Sequence, residues 1–335
     1  MVVLDEEPSD PNHGWVPSER PVQVMLDYGI IPLDKPRGPT SHEVVAWTKK
    51  LLGIDKAGHS GTLDPPVSGL LPIGLGQSTR ALSLLLMFPK EYAGVLRLHS
   101  PVPRKQLDAV IGEFTAEIFQ RPPQRSSVSR QTRSRTIHEL ELTESQGNLY
   151  LFRVLCQSGT YIRKLVYDIG EVLGVGATMV ELRRTKVGPL TEERGLVTLH
   201  QLNDAIFRLK EGDEAPLRKL VLPIEESLGD IGRIMMRDSA VDAICHGARL
   251  GIPGVLAVSE GVKKDDTVAL MSSKRELVAI GKALLDTEGM RGIKKGLAST
   301  TERVVMKAGT YQRLWKSHPK HKQASDSERK SGASV

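Results

Sequence analysis

A chain of 335 residues that is 39% apolar, with a mean hydropathy of -0.22, has the composition of a globular protein, long enough for a large body and a smaller module. Its longest mostly apolar run, Ala81 to Phe88, falls far short of the roughly 20 residues of a membrane span, and its acidic start (Asp5, Glu6, Glu7, Asp10) is wrong for a secretory signal, so a cytoplasmic protein without a membrane partner is expected. Two cysteines, Cys156 and Cys245, are too few and too far apart for a zinc site, so neither a metal nor a disulfide is expected, while a net charge of +6 favours a polyanionic partner.

Residues 1–27 are proline-rich and polar, which predicts an arm that is either disordered or laid over another part of the protein, with folding proper from Tyr28. Tyr28 to Leu33 suits a strand, and the loop from Asp34 to Pro39 carries Pro36 and Pro39, which forbid helix. Thr40 to Leu52 reads as a helix: Thr40 and Glu43 fit a capping box, Val44, Trp47, Thr48 and Leu51 share a face, and Gly53 stops it. Strand-like runs follow at Tyr92 to His99 and Leu149 to Cys156.

Between Arg121 and Arg135 lie five arginines and no acid, and Arg183, Arg184 and Lys186 form a second basic cluster. A solvated face would mix in counter-charges, so a phosphate backbone is the natural ligand. Tyr161 to Leu173 reads as a helix on the spacing of Ile162, Leu165, Val166, Ile169 and Leu173. Helices and strands alternate without the regularity of a doubly wound sheet, which predicts a mixed α/β (α+β) catalytic domain over residues 28–229 on a largely antiparallel sheet.

After Gly229 the chain breaks into short apolar runs: Ile231 to Met236, Gly254 to Val258, Thr267 to Ser272, Glu276 to Lys282 and Arg303 to Lys307. One short helix capped by Asp238 or Ser239 and closed by Gly247 interrupts them, so residues 230–309 are expected to form a small, mostly β second domain. Residues 310–335 read as a basic, disordered tail.

The densest chemistry lies in Gly58-His59-Ser60-Gly61-Thr62-Leu63-Asp64-Pro65-Pro66, where loop residues surround one carboxylate. This stretch closely resembles the signature of the TruB and dyskerin branch of pseudouridine synthases. Asp34-Lys35-Pro36, Gly38-Pro39-Thr40-Ser41-His42-Glu43, Lys90-Glu91-Tyr92, Gln120-Arg121-Pro122-Pro123, Gly159-Thr160-Tyr161-Ile162-Arg163 and Glu181-Leu182-Arg183-Arg184-Thr185 resemble further blocks of that family in the family's order. The Ser41-His42-Glu43-Val44-Val45 form and the N-terminal arm are closer to the dyskerin branch, in its archaeal form.

The resemblance implies an RNA uridine isomerase. Such an enzyme breaks a glycosidic bond, turns the uracil and rejoins it through carbon, which calls for a nucleophilic carboxylate as in a retaining glycosidase. By resemblance Asp64 is that nucleophile, Arg163 the cation that keeps it charged in a water-excluding site, and Tyr92 the ring that stacks on the flipped base and assists proton transfer. Tyr161 lines the pocket, His59 orients RNA or the loop, Arg183 and Arg184 either touch phosphate or brace the site, and Lys35 and Pro36 pack beneath the loop.

No redox step occurs, so no cofactor is implied. The implied partners are RNA (an H/ACA guide, rRNA, and the T-loop of tRNA) and small H/ACA accessory proteins, with the second domain resembling a PUA module. Pro66 departs from the family's usual lysine, Ser126-Ser127-Val128-Ser129-Arg130 from its usual Ser-Ala-Val-Lys-Arg, and Thr178 from a common histidine. Two other classes compete: an inactive RNA-binding scaffold of the same particle, disfavoured by the intact Asp64, Tyr92 and Arg163, and a carbohydrate glycosidase. The glycosidase would need a second carboxylate and an aromatic groove, against an aromatic content of 4%.

Overall fold

The computed structural model describes residues 1–121 and 131–313. Arg125, Arg130, the Ser126 to Arg130 departure and the tail beyond Arg313 lie outside the described residues. In chain order the arm contributes β1 (Val2–Val3), and the first body comprises α1 (Val22–Tyr28), β2 (Gly29–Lys35), α2 (Ser41–Leu52), β3 (Ala57–His59), β4 (Ser68–Leu75), α3 (Leu82–Met87), β5 (Lys90–Leu98), α4 (Arg104–Phe114), β6 (Glu117–Gln120), β7 (Arg133–Gln146), β8 (Leu149–Cys156), α5 (Ile162–Val172), β9 (Ala177–Val187), β10 (Leu190–Thr191), α6 (Leu199–Lys210), α7 (Ala215–Leu220) and β11 (Leu222–Pro223). The second comprises β12 (Gly232–Met236), α8 (Asp238–Cys245), β13 (Leu250–Gly251), β14 (Val255–Val258), β15 (Thr267–Met271), β16 (Leu277–Lys282), α9 (Thr287–Gly292), β17 (Leu297–Ser299) and β18 (Arg303–Val304).

Ten strands of the first body form one sheet in the order β11-β2-β4-β9-β5-β8-β7-β6, with β3 on β4 and β10 on β9. Every pairing in it is antiparallel except that of β4 with β9, which bears out the largely antiparallel mixed fold. Strands β2 and β4 read as nearly continuous apolar runs because both faces are covered: Ile30, Ile31, Leu33, Leu70, Leu71, Ile73 and Leu75 are fully buried. Strand β8 instead alternates, Tyr150, Phe152, Val154 and Cys156 facing the core that α4 and α5 complete and Arg153 facing out. Helix α5 presses backbone to backbone on β9 at Gly170, where a Cβ would stand 2.1 Å from the Ala177 nitrogen.

The second sheet runs β1-β14-β12-β15-β16-β18, so the N-terminal arm supplies an edge strand to the PUA-like body. Of the two conformations open to the arm, the structure takes the second. Arg237 pairs with Asp5 and Glu7, Glu276 Oε1 accepts from the Trp15 amide at 3.0 Å, and Arg20, 3% exposed, forms a bidentate pair with Glu225 at 2.8 and 3.0 Å. Folding begins ahead of Tyr28: Tyr28 closes α1, whose Met25 and Leu26 are buried, and the strand starts at Gly29. The expected cap of α8 is also corrected. Arg237 is its N-cap, while the Asp238 carboxylate accepts from the Asp10 amide of the arm at 2.8 Å and from the Ser273 hydroxyl of the second body at 2.5 Å.

The two sheets share one apolar cluster, in which Tyr28, Ile30, Leu70, Leu85 and Ile224 meet Ala269, Met271, Leu277 and Val305. Glu225 Oε1 also accepts from the Leu277 amide at 2.8 Å, tying arm, first body and second body at one carboxylate.

Candidate active site

The loop between β3 and β4 is held from three sides. From below, the fully buried Lys35 donates from Nζ to the carbonyls of Pro36 (3.0 Å), Pro65 (3.2 Å) and Val67 (2.8 Å). Burial lowers the Lys35 ammonium pKa, and the negative charge of Asp64 opposes that shift. From the start of α2, the buried Ser41 hydroxyl donates to the Leu63 carbonyl at 3.1 Å and accepts from the Leu63 amide at 2.9 Å. From β9, Arg184, 1% exposed, donates from Nε to Leu70 at 2.8 Å and from Nη2 to Gly61 at 3.0 Å.

Asp64 stands at the crest of this loop, with Val67 N–H closing the turn on its carbonyl at 3.0 Å. Its carboxylate takes a charge-assisted hydrogen bond from Arg163, in the first turn of α5, 99 residues away in sequence. Both side chains are open to solvent, Asp64 at 56% and Arg163 at 54%. The expected exclusion of water is not met by this chain alone, which leaves the pair exposed.

Tyr92 lies half-buried on β5 against the α5 core, directly opposite Arg184 of β9. Burial pushes its hydroxyl above the usual phenol value, Arg184 pulls it down, and the charge of Asp64 pushes it up. Tyr161 is the N-cap of α5, two residues before Arg163.

Lys35 and Pro36 lie beneath the loop as read from sequence. Of the two roles left open for Arg183 and Arg184, contact with phosphate or bracing, the hydrogen bonds formed are those of bracing. Arg183 is bidentate to Asp34 at 2.9 and 3.0 Å and donates to Glu192 at 2.7 Å, while Arg184 is spent on backbone carbonyls. His59 is half-buried at the end of β3, edge-on to His42 at 5.1 Å, its Nδ1 without a hydrogen-bond partner among the described residues. Burial, then His42 and Arg184, push its pKa down to about 4, so it is a neutral ring. Thr178, in place of the common histidine, bonds His99 Nε2 at 2.8 Å.

Sequence reasoning passed over three side chains. Ser41, Lys90 and Gln120 were each read as part of a family block and not as site residues. Lys90, 4% exposed, donates to the carbonyls of Leu85 (3.0 Å), Leu86 (3.1 Å) and Phe88 (2.8 Å) and to Ser158 Oγ (2.8 Å), joining the end of α3 to the turn that precedes α5. Cys156 lies buried beside it, its thiol pushed up to about 11 by burial.

Family models match in succession: the DKCLD (NUC011) domain at residues 1–45, TruB family pseudouridylate synthase (N terminal domain) at 49–162, tRNA pseudouridylate synthase B C-terminal domain at 163–229, and the PUA domain at 232–305. The chain is 49% identical over 316 residues to "Probable tRNA pseudouridine synthase B" of Methanopyrus kandleri, covering 94% of this chain and 93% of the relative. A protein of the same name from Pyrococcus abyssi is 48% identical over 316 residues, covering 94% and 95%. The structure matches a chain of the archaeal box H/ACA sRNP Nop10-Cbf5 complex with a TM-score of 0.85 at 45% identity, over 94% of this chain and 98% of that one. It matches a chain of an H/ACA RNP bound to a substrate RNA containing 2'-deoxyuridine with a TM-score of 0.87 at 44% identity, over 94% and 96%. With a catalytic body, an arm and a PUA module each matched in turn, the chain belongs to the TruB family of pseudouridylate synthases, in its dyskerin-type form.

Proposed function

We propose that this chain isomerises uridine to pseudouridine in rRNA as the catalytic subunit of an H/ACA guide particle in the cytoplasm, and that it also acts on the T-loop uridine of tRNA. The observation that carries the reading is the pairing of Asp64 with Arg163 at the solvent-exposed crest of a rigidly held loop. A nucleophilic carboxylate must be ionised and correctly aimed, and a guanidinium bond supplies both.

In this reading the flipped uridine stacks on Tyr92. Asp64 attacks C1′ as the C1′–N1 bond breaks, the uracil turns in place, C5 bonds to C1′ as the carboxylate leaves it, and the proton lost from C5 is balanced by one gained at N1. Arg163 holds the carboxylate until the base arrives. The exposure of the pair fits a site that the RNA itself completes, which is also why a guide and accessory proteins improve it: they deliver the uridine and keep water out. The names of relatives support tRNA as a substrate and the H/ACA particle as a setting, some being named for tRNA and others solved within H/ACA particles. An inactive scaffold would have no use for a lysine, a serine and an arginine converging on one loop.

The test is pseudouridine formation in a tRNA transcript and in an rRNA fragment, with and without an H/ACA guide RNA and accessory proteins. Product in the rRNA only with the guide, and in tRNA without it, is the expected pattern. Absence of product under every condition would move the chain to the scaffold reading.

A further inference from the structure

Arg163 stands in the first turn of α5, so its aim is set by the way that helix starts. The Tyr161 side chain does not cap the helix. Instead Gln120, the last residue of β6 and 2% exposed, exchanges two hydrogen bonds with the Tyr161 backbone: the Tyr161 amide donates to Oε1 at 2.9 Å, and Nε2 donates to the Tyr161 carbonyl at 3.1 Å. That carbonyl also receives the Leu165 amide of the first helical turn at 3.0 Å. One planar amide therefore fixes both polar groups of the residue two positions before Arg163.

The preceding turn is anchored as well. Lys90 holds Ser158, and Gln157 and Thr136 exchange bonds of 2.8 and 3.1 Å. These contacts fix where the turn begins; the Gln120 amide fixes the direction in which the helix leaves it. Catalysis is sensitive to such direction, because displacing a reacting group by about 1 Å can cost on the order of 100-fold in rate. The sequence block Gln120-Arg121-Pro122-Pro123 had no assigned task in the chemistry, and this geometry gives its first residue one.

We propose that Gln120 is a positioning residue for the isomerisation, holding Arg163 on line with Asp64 through the Tyr161 backbone. The inference rests on the reading of Asp64 and Arg163 given above. An amide is required because the site needs one donor and one acceptor on a single flat group. A glutamate supplies both only when protonated, and burial raises the pKa of a carboxyl into a range where that can be titrated.

The experiment uses the full chain and whichever RNA the wild-type protein converts, a tRNA transcript or a guide-bound rRNA fragment, with wild type, Q120A and Q120E compared. Single-turnover rates, RNA dissociation constants and melting temperatures are measured from pH 6 to pH 8. Q120A is expected to slow conversion about 10- to 100-fold while RNA affinity stays within about threefold. Q120E should be as slow as Q120A at the alkaline end and recover towards the wild-type rate at the acid end, where its carboxyl regains a proton to donate. A wild-type rate in Q120A, a loss confined to RNA affinity, or a Q120E rate that does not recover in acid would each overturn the inference. If wild type converts no RNA, the proposed function falls and this inference with it, an outcome separate from any difference among the variants.

Discussion

Replacing Lys35 with methionine tests whether the Asp64 loop is held from below. The Lys35 ammonium is fully buried and donates to three backbone carbonyls, those of Pro36, Pro65 and Val67, two of which follow Asp64 closely in the chain. Methionine fills most of the volume and supplies no donor. Each bond to a charged donor contributes about 1.5–3 kcal/mol. Against this stands the cost of burying an ammonium, several kcal/mol, which methionine avoids. The net loss is about 2–4 kcal/mol, which for a protein of this size lowers the melting temperature by roughly 3–6 °C. Because the orphaned carbonyls belong to the loop that carries Asp64, the single-turnover rate should fall about 10- to 100-fold as well. Circular-dichroism melts and single-turnover conversion of a tRNA transcript read the two effects. A K35M protein that melts within about 1 °C of wild type and turns over normally would refute the reasoning.

Other expectations follow from the same loop and its neighbours. Gly69 has φ +99°, and a Cβ there would lie 2.3 Å from the Arg184 carbonyl oxygen, so G69A should cost more than about 3 kcal/mol and separate β4 from β9; a wild-type melting curve would contradict this. His59 is held neutral, its pKa depressed from 6.5 to about 4, so its contribution is present above pH 6.5 and lost as pH falls through about 4. The melting temperature should therefore decline across that window, with a shallower decline in H59Q; equal slopes in the two proteins would count against the burial argument.

Much of the fold was readable because local signals agreed with global ones. Thr40 and Glu43 form the capping box expected of them, Gly53 closes α2 in the left-handed conformation, and α5 presents the predicted apolar stripe. Strands β12, β14, β15 and β16 fall within a residue or so of the apolar runs, the run from Arg303 to Lys307 shortens to the pair Arg303–Val304, and β13, β17 and the second helix α9 went unread.

What escaped was non-local. Helix α1 hides in a proline-rich arm because its buried Met25 and Leu26 pack on elements far away in sequence. Asp238 looks like a helix cap and serves instead as an acceptor for the arm. Arg183 and Arg184 look like a phosphate clamp because sequence shows their charge and not Asp34, Glu192, Leu70 and Gly61, which consume it. Asp64, Arg163 and Tyr92 were found through the family's motifs, while Ser41 and Gln120 act through backbone bonds that no spacing rule announces.

The most direct test of the central claim is single-turnover pseudouridine formation by Asp64→Asn, measured with RNA affinity on the same preparations. The substitution removes the nucleophilic oxygen at an exposed position, and exposed ion pairs contribute only about 0–1 kcal/mol, so the fold should persist. Product formation is expected to disappear while the RNA dissociation constant stays within about threefold of wild type. Turnover by Asp64→Asn at the wild-type rate would contradict the assignment of Asp64 as the nucleophile.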